Sequence, residues 1–320
     1  MLSASTAGIE LAVTHRLAPL LAHHCFQAEL KTPEPWKAEL RRSAATRTIL
    51  EMALRDLAGV LDDLGVPWLP IKGMGPVRTL YPTPDCRPTS DLDILILKQH
   101  LTAAKARILD SGWLEYEEPD TSLLTSTYNW SARNHTGAFL ELHHALWGFA
   151  DPELSPQLVQ RAPRDNGGGT SGRHSSPADC YLVAATHLWN NPPPRPLLDL
   201  VDLHLLALNN PTGLAEEVSR LACLHELQLP VFLAACAQHT LWNDSPAHDL
   251  SAALSLELKP PERWLVARNQ HDLHCVPLAA IVLARLLSRR KSRTGWKAPI
   301  RLIARRVRDR RARAGRGGAP

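Results

Sequence analysis

The sequence predicts an α/β (α+β) protein: a small mixed-sheet core with a helical segment before it and a helical region after it. Three observations predict this. Between residues 46 and 150, apolar residues at three- and four-residue spacing alternate with short stretches of alternating or continuous apolar character. After residue 176 only the helical period recurs. The 320 residues, 44% hydrophobic and 21% charged, suffice for one large or two ordinary soluble domains. The expected organisation is a helical segment over 1–45, the core over 46–150, a loop or linker over 151–176, a helical domain over 177–287 and a basic, partly disordered tail over 288–320.

Taken in order, residues 1–65 read as helical. In AATRTILEMALRDLAGVLDDLG the positions Ile49, Met52, Leu57, Val60, Leu61 and Leu64 form one apolar stripe, which Gly65 stops. VPWLPIKG is a short extended piece, and MGPVRTLY then starts a short helix with Pro76 in its first turn. DLDILIL is a strand, QHLTAAKARILDSGW a helix closed by Gly112, and GAFLELHHAL a later strand. The run DNGGGTSGRHSSP is Gly/Ser-rich and reads as a flexible connection. SPADCYLVAATHLWNN, PLLDLVDLHLLALNN, GLAEEVSRLACLHEL and PVFLAACAQHTLW follow as successive helices.

Composition narrows the function classes. The first residues lack a basic start followed by an unbroken apolar run, which argues against a secretory signal. No apolar run is long enough to span a membrane. Six cysteines are scattered without zinc or redox spacing, as reduced thiols in a cytoplasmic protein would be. The net charge of +4 hides an asymmetry: Arg285 to Arg316 carries fourteen Lys or Arg against Asp309, so that stretch is +13 and the remainder −9. Such a tail suits RNA or another anionic surface, by phosphate contacts or by lying on a membrane face, and equally a solvated end. Trp296 is its one aromatic residue, so base stacking there is not favoured.

CRPTSDLDILIL sets two acids one residue apart in an apolar run. Residues i and i+2 of a strand share a face about 6.5–7 Å apart, so Asp91 and Asp93 project together while Leu92 and Ile94 pack on the other side. Two carboxylates that close repel unless a cation sits between them, and oxygen ligands on a rigid element suit Mg²⁺. Alone the pattern reads equally as two solvated acids at a strand edge. Three neighbours sharpen it. Lys72-Gly73-Met74-Gly75 follows a short strand, and glycines admit phosphate to backbone amides beside a lysine charge. Arg87, in the turn before the strand, pairs with the acids or contacts a phosphate. Glu141 offers a third carboxylate on a second strand, with His143 on the same face and His144 on the other. A phosphate cradle with three convergent acids is the equipment for metal-assisted phosphoryl transfer.

The run WLPIKGMGPVRTLYPTPDCRPTSDLDILIL resembles the core of the polymerase-β-like nucleotidyltransferase superfamily. More narrowly, it resembles the bacterial uncharacterised nucleotidyltransferase family, with its LKG, LYP and RPxxDxDLLV motifs. FLELHHAL, SPADCYLVAATHLW and LLDLVDL extend the similarity to about residues 46–209. The resemblance implies that Asp91, Asp93 and Glu141 bind Mg²⁺ and carry the catalysis. It further implies that Lys72, Gly73, Met74, Gly75, Arg87 and Ser90 hold the NTP, with His143 and His187 behind them. His187 and Asp199 match family positions and either face the cleft or pair within the helices. The sequence departs twice: Met74 stands where the superfamily usually has Ser, and the third acid is Glu rather than Asp.

The expected function is Mg²⁺-dependent transfer of NMP from an NTP, with release of pyrophosphate, to a peptide, protein, small molecule or RNA. A peptide or small molecule is favoured as the acceptor. The alternatives are a non-catalytic nucleotide- or nucleic-acid-binding relative and a toxin-type enzyme acting on tRNA.

Overall fold

In the computed structural model, residues 5–116, 129–146, 153–163, 173–190, 196–243 and 245–269 are described. The N-terminal stretch folds as three helices, α1 (Thr6–Thr14), α2 (Ala18–Gln27) and α3 (Glu34–Asp63). The breaks fall where Arg16 and Glu29 take left-handed backbone conformations. Helix α3 is continuous through residues 45 and 46, where the sequence suggested a boundary, because its apolar positions persist from Trp36 to Leu61. Gly65, at φ 63°, then turns the chain out of the helix.

A five-stranded sheet follows: β1 (Trp68–Pro70), β2 (Leu92–Ile96), β3 (Leu114–Glu115), β4 (Asn129–Arg133) and β5 (Phe139–His143), in the order β1-β2-β5-β4-β3. The sheet is mixed, as expected: β2 and β5 are parallel and every other pair is antiparallel. Helix α4 (Leu101–Asp110) connects β2 to β3. The short helix expected at MGPVRTLY is instead two 3₁₀ segments, Lys72–Met74 and Pro76–Leu80. Gly75 separates them in extended conformation, so the turns cannot merge into one α-helix.

The helical region comprises α5 (Leu154–Arg161), α6 (Pro177–Asn190), α7 (Leu197–Asn209), α8 (Leu214–Leu224), α9 (Gln228–Trp242), α10 (Ser245–Glu257) and α11 (Pro260–Arg268). Helix α5 corrects the expectation of a structureless connection over 151–176. Leu154, Leu158 and Val159 share one buried face there, a pattern that Pro156 and the neighbouring Gly/Ser run obscure in the sequence. Most of that Gly/Ser run, and the basic tail over 288–320, lie outside the described residues. Among the described residues, no helix is long and apolar enough to cross a membrane.

The sheet has two dry faces. Leu92, Ile94 and Ile96 of β2, with Leu140 and Leu142 of β5, pack on Leu50, Leu57 and Leu61 of α3 and on Ala104 and Ile108 of α4. The opposite face puts Leu69 and Leu95 into a core shared with α5–α10, which includes Tyr181, Leu188, Leu203 and Leu233. Side chains alternate along a strand, so Asp93 falls on the face that looks toward the helical region. That face opens into a cavity at this point.

Candidate active site

The cavity has a volume of about 260 Å³. Its sheet side carries Lys72, Gly73, Asp91 and Asp93, and its helical side carries His187, Asp199 and Asp202. The register across the sheet explains the convergence of acids. Asp93 stands directly opposite Glu141 on the parallel pair β2–β5, and Leu95 opposite His143. The Glu141 and His143 side chains therefore rise beside Asp93 on the same face. Nε2 of His143 lies 2.9 Å from Asp93 Oδ1 and 3.3 Å from Glu141 Oε2. One ligand atom from each of Asp93, Glu141 and His143 falls within 4.8 Å of the other two, a set able to chelate a divalent cation. Asp91 and Asp93 line the same cavity, while Leu92 and Ile94 are buried in the core behind them.

Lys72 sits among these acids. Its backbone is left-handed, at φ 53°, a conformation that few residues other than glycine adopt without constraint. The turn brings Nζ to 2.6 Å from Asp93 Oδ1, the same oxygen that His143 contacts. Burial works against the ammonium, but the charges of Asp93, Asp91 and Glu141 outweigh it and hold the lysine protonated. Asp93 responds in kind. Burial opposes its charge, and Lys72 together with the His143 hydrogen bond drives its carboxyl well below the usual range. Asp91 shows the reverse: burial, then the negative charge of Asp93, push it up to about 6. His143 is raised, with the hydrogen bonds to Asp93 and Glu141 overcoming burial. The two aspartates thus differ in kind. Asp93 is held as an anion by the Lys72 ammonium and the His143 hydrogen bond, whereas burial and the Asp93 charge push Asp91 toward its protonated form.

Gly73 is required by close approach. A Cβ there would lie 2.5 Å from Thr89 Cγ2, 2.6 Å from Thr89 Oγ1 and 3.0 Å from Arg87 Nη1. The turn therefore lies flat against the 87–89 segment that leads into β2. Gly75 meets backbone instead: a Cβ there would stand 3.1 Å from the Lys72 and Pro70 carbonyl oxygens. The Met74 side chain is buried in the cluster behind the sheet with Trp68 and Ile94. Met74 therefore fills the core and offers no side-chain hydroxyl toward the cavity, in keeping with the departure from Ser at this position. Ser90 is exposed at the cavity rim.

Of the two readings of Arg87, the structure excludes the pairing with Asp91 or Asp93: the residue lines the cavity and pairs with Asp202, its Nε 2.9 and 3.1 Å from the two carboxylate oxygens and its Nη2 2.5 Å from Oδ2. Tyr81 donates its hydroxyl to the same Asp202 at 2.6 Å. Asp202 raises the guanidinium pKa despite burial, so the arginine is a fixed cation. Two of its three nitrogens are thus committed to the helical region, and Nη1 reaches Thr89 Oγ1 at 3.2 Å. Asp202 gave no signal in the sequence beyond an acid in a helix; its partner is 115 residues away. His187 both faces the cavity and pairs within the helices, with Nδ1 lying 3.3 Å from Asp199 Oδ2. Burial opposes the Asp199 charge, and His187 holds its pKa down.

A carboxylate-lined cavity on the face of a mixed sheet is the setting, and the class of the protein comes from its family. The chain belongs to the uncharacterised nucleotidyltransferase family, whose model matches residues 6–243. Nucleotidyl transfer is accordingly its reaction class. A comparison with curated protein sequences returns no match. Three solved structures have distant similarity. The solution structure of the antibiotic-resistance factor ANT(2'')-Ia is 17% identical, with 55% of this chain and 95% of that chain covered and a TM-score of 0.39. An antigenic nucleotidyltransferase-like protein from Paracoccidioides brasiliensis is 17% identical over 64% and 92%, with a TM-score of 0.39. ANT(2'')-Ia in complex with adenylyl-2''-tobramycin is 16% identical over 53% and 98%, with a TM-score of 0.37. At those values the likeness is no guide to substrate.

Proposed function

We propose that this protein transfers NMP from an NTP to a hydroxyl or phosphate oxygen of a peptide or small molecule, with release of pyrophosphate, in a reaction that depends on a divalent cation. The observation that carries this reading is the in-register pairing of Glu141 with Asp93, which lines a cavity together with Lys72, Gly73 and Asp91. The donor chemistry fits a dication. Asp93 and Glu141 supply oxygen ligands of the kind Mg²⁺ takes, and His143 adds a nitrogen that also suits Mn²⁺ or Zn²⁺; Asp91, which lines the same cavity, is the further carboxylate available to the ion or its nucleotide. When bound, the cation neutralises the triphosphate and lowers the cost of charge developing on the leaving pyrophosphate.

The remaining work falls to the chain itself. Lys72, largely buried and charged, balances the acids, and its left-handed turn sets Lys72 and Gly73 at the cavity wall. Gly73 keeps the loop low enough for phosphate to approach the backbone amides. His143 braces Asp93 and Glu141 from below, fixing both carboxylates at one spacing. The helical wall with His187 and Asp199 encloses the side from which an acceptor enters, so transfer occurs away from bulk water. The free cysteines among the described residues and the use of an NTP suit a cytoplasmic enzyme.

The test is a Mn²⁺ titration followed by electron paramagnetic resonance, with and without NTP, on wild type and on Asp93→Asn and Glu141→Gln. Mn²⁺ should bind more tightly with nucleotide present, and each substitution should weaken that binding at least tenfold. Unaltered Mn²⁺ binding in both variants sinks the proposal.

A further inference from the structure

Asp93 serves two clusters at once. It belongs to the set with Glu141 and His143 whose ligand atoms fall within 4.8 Å of one another, and it is the ion-pair partner of Lys72. Lys72 Nζ and His143 Nε2 meet the same oxygen, Oδ1, at 2.6 and 2.9 Å. The pair is well enclosed, with the Lys72 side chain 15% and the Asp93 side chain 3% exposed. Arg87, which lines the same cavity, is spent on Asp202 instead.

That arrangement sets two cations against each other. A dication held by Asp93, Glu141 and His143 shares Asp93 with the Lys72 ammonium, and like charges that close repel strongly where water is scarce. The backbone from which Lys72 hangs is fixed, by its own left-handed turn and by the close packing of Gly73 on Thr89. The ammonium therefore leaves Asp93 only by swinging its flexible four-carbon stem, and it needs an anion to swing to. A triphosphate supplies that anion, together with negative charge that offsets the dication. A dication alone supplies neither.

We propose that Lys72 competes with the divalent cation for Asp93, so that the site takes the cation together with a triphosphate and rejects the cation alone. Lys72 thereby makes metal and nucleotide bind as one unit instead of one after the other. By linkage, the factor by which the triphosphate tightens the cation equals the factor by which the cation tightens the triphosphate. The proposal rests on the nucleotidyl-transfer reading for the identity of the triphosphate, whereas the competition at Asp93 rests on the ion pair itself.

The experiment follows free Mn²⁺ by electron paramagnetic resonance and Mn²⁺–ATP by calorimetry, on the full chain. Wild type is compared with Lys72→Met, Lys72→Gln, Lys72→Arg and Lys72→Met/Asp93→Asn. Each neutral variant is expected to bind free Mn²⁺ about tenfold or more tighter than wild type, within the range that coupled sites show. The gain disappears in Lys72→Met/Asp93→Asn, and Lys72→Arg, which keeps the charge, stays as weak as wild type. A lysine that only supports the turn gives the opposite sign, because its loss loosens the site. Free Mn²⁺ bound no tighter by the neutral variants overturns the proposal, as does a gain that survives Asp93→Asn. Wild type gives a check that needs no variant: tight binding of free Mn²⁺, equal to that of Mn²⁺–ATP, also overturns it. If wild type does not bind Mn²⁺–ATP while the neutral variants still gain free Mn²⁺, the nucleotidyl-transfer reading fails and the competition at Asp93 stands.

Discussion

Replacing Arg87 by Met tests how the 72–75 loop and the 87–90 segment are tied to the helical region. The Arg87 and Asp202 side chains are 7% and 3% exposed, and two guanidinium nitrogens meet the carboxylate. Taking away the arginine leaves a buried carboxylate with the Tyr81 hydroxyl as its neutral donor. Breaking one half of a buried pair costs about 3–5 kcal/mol, because the other charge stays desolvated without compensation. Removing both charges with apolar residues of similar volume is far cheaper, and sometimes neutral. Urea denaturation followed by tryptophan fluorescence should therefore show Arg87→Met losing about 3–5 kcal/mol, and Arg87→Met/Asp202→Leu losing much less than the sum of its single changes. The loop should suffer with the pair, since Gly73 packs against Arg87 and Thr89. A loss under about 1 kcal/mol for Arg87→Met, or strict additivity in the double variant, would show that the pair does not tie the loop down.

Other outcomes follow from the same geometry. Gly73→Ala forces a methyl group onto Thr89 and should cost about 1–3 kcal/mol in denaturation, while Gly73→Ala/Thr89→Ala recovers most of it. In chelator, stability should fall from pH 5 to pH 7.5. Asp91, with a folded pKa of about 6 against an ordinary 3.8, contributes stability that is present below the lower value and lost by the time pH has risen through about 6; the whole loss is about 3 kcal/mol, of which about half falls above pH 5. His143, raised from 6.5, acts in the same direction, and Asp91→Asn should flatten much of the slope. Cys180, whose thiol burial pushes up to about 12, should resist iodoacetamide at pH 8 in the folded protein and react on unfolding, as mass spectrometry of the labelled peptide would show.

The placement of the strand-borne acids was legible because strand periodicity is short. Asp91 and Asp93, then Glu141 and His143, share faces by a rule of two, and the sheet register does no more than set those pairs side by side. The Lys72-Gly73 turn announced itself by composition, and Gly73 is held to glycine by the neighbouring chain. What lay hidden depends on contacts distant in sequence. Asp202 is an ordinary helical acid until Tyr81 and Arg87 reach it. Arg16 sits in a stretch that carries no motif, and its hydrogen bond to the Pro88 carbonyl holds it at the cavity wall. Strand β4, NWSAR, is too short and polar to stand out, and its place is set by pairing with β5. The departure at Met74 was visible in the motif, but which side of the sheet its side chain fills was not.

Whether Asp91, Asp93 and Glu141 form a metal-dependent NTP site is the question on which the rest depends, and calorimetry answers it. Purified protein would be titrated with ATP, GTP, CTP and UTP, each with Mg²⁺ and again in chelator, beside an Asp91→Ala/Asp93→Ala variant. Saturable binding of at least one nucleotide, lost in chelator and in the variant, is the expected result. Nucleotide binding that survives both treatments unchanged would contradict it.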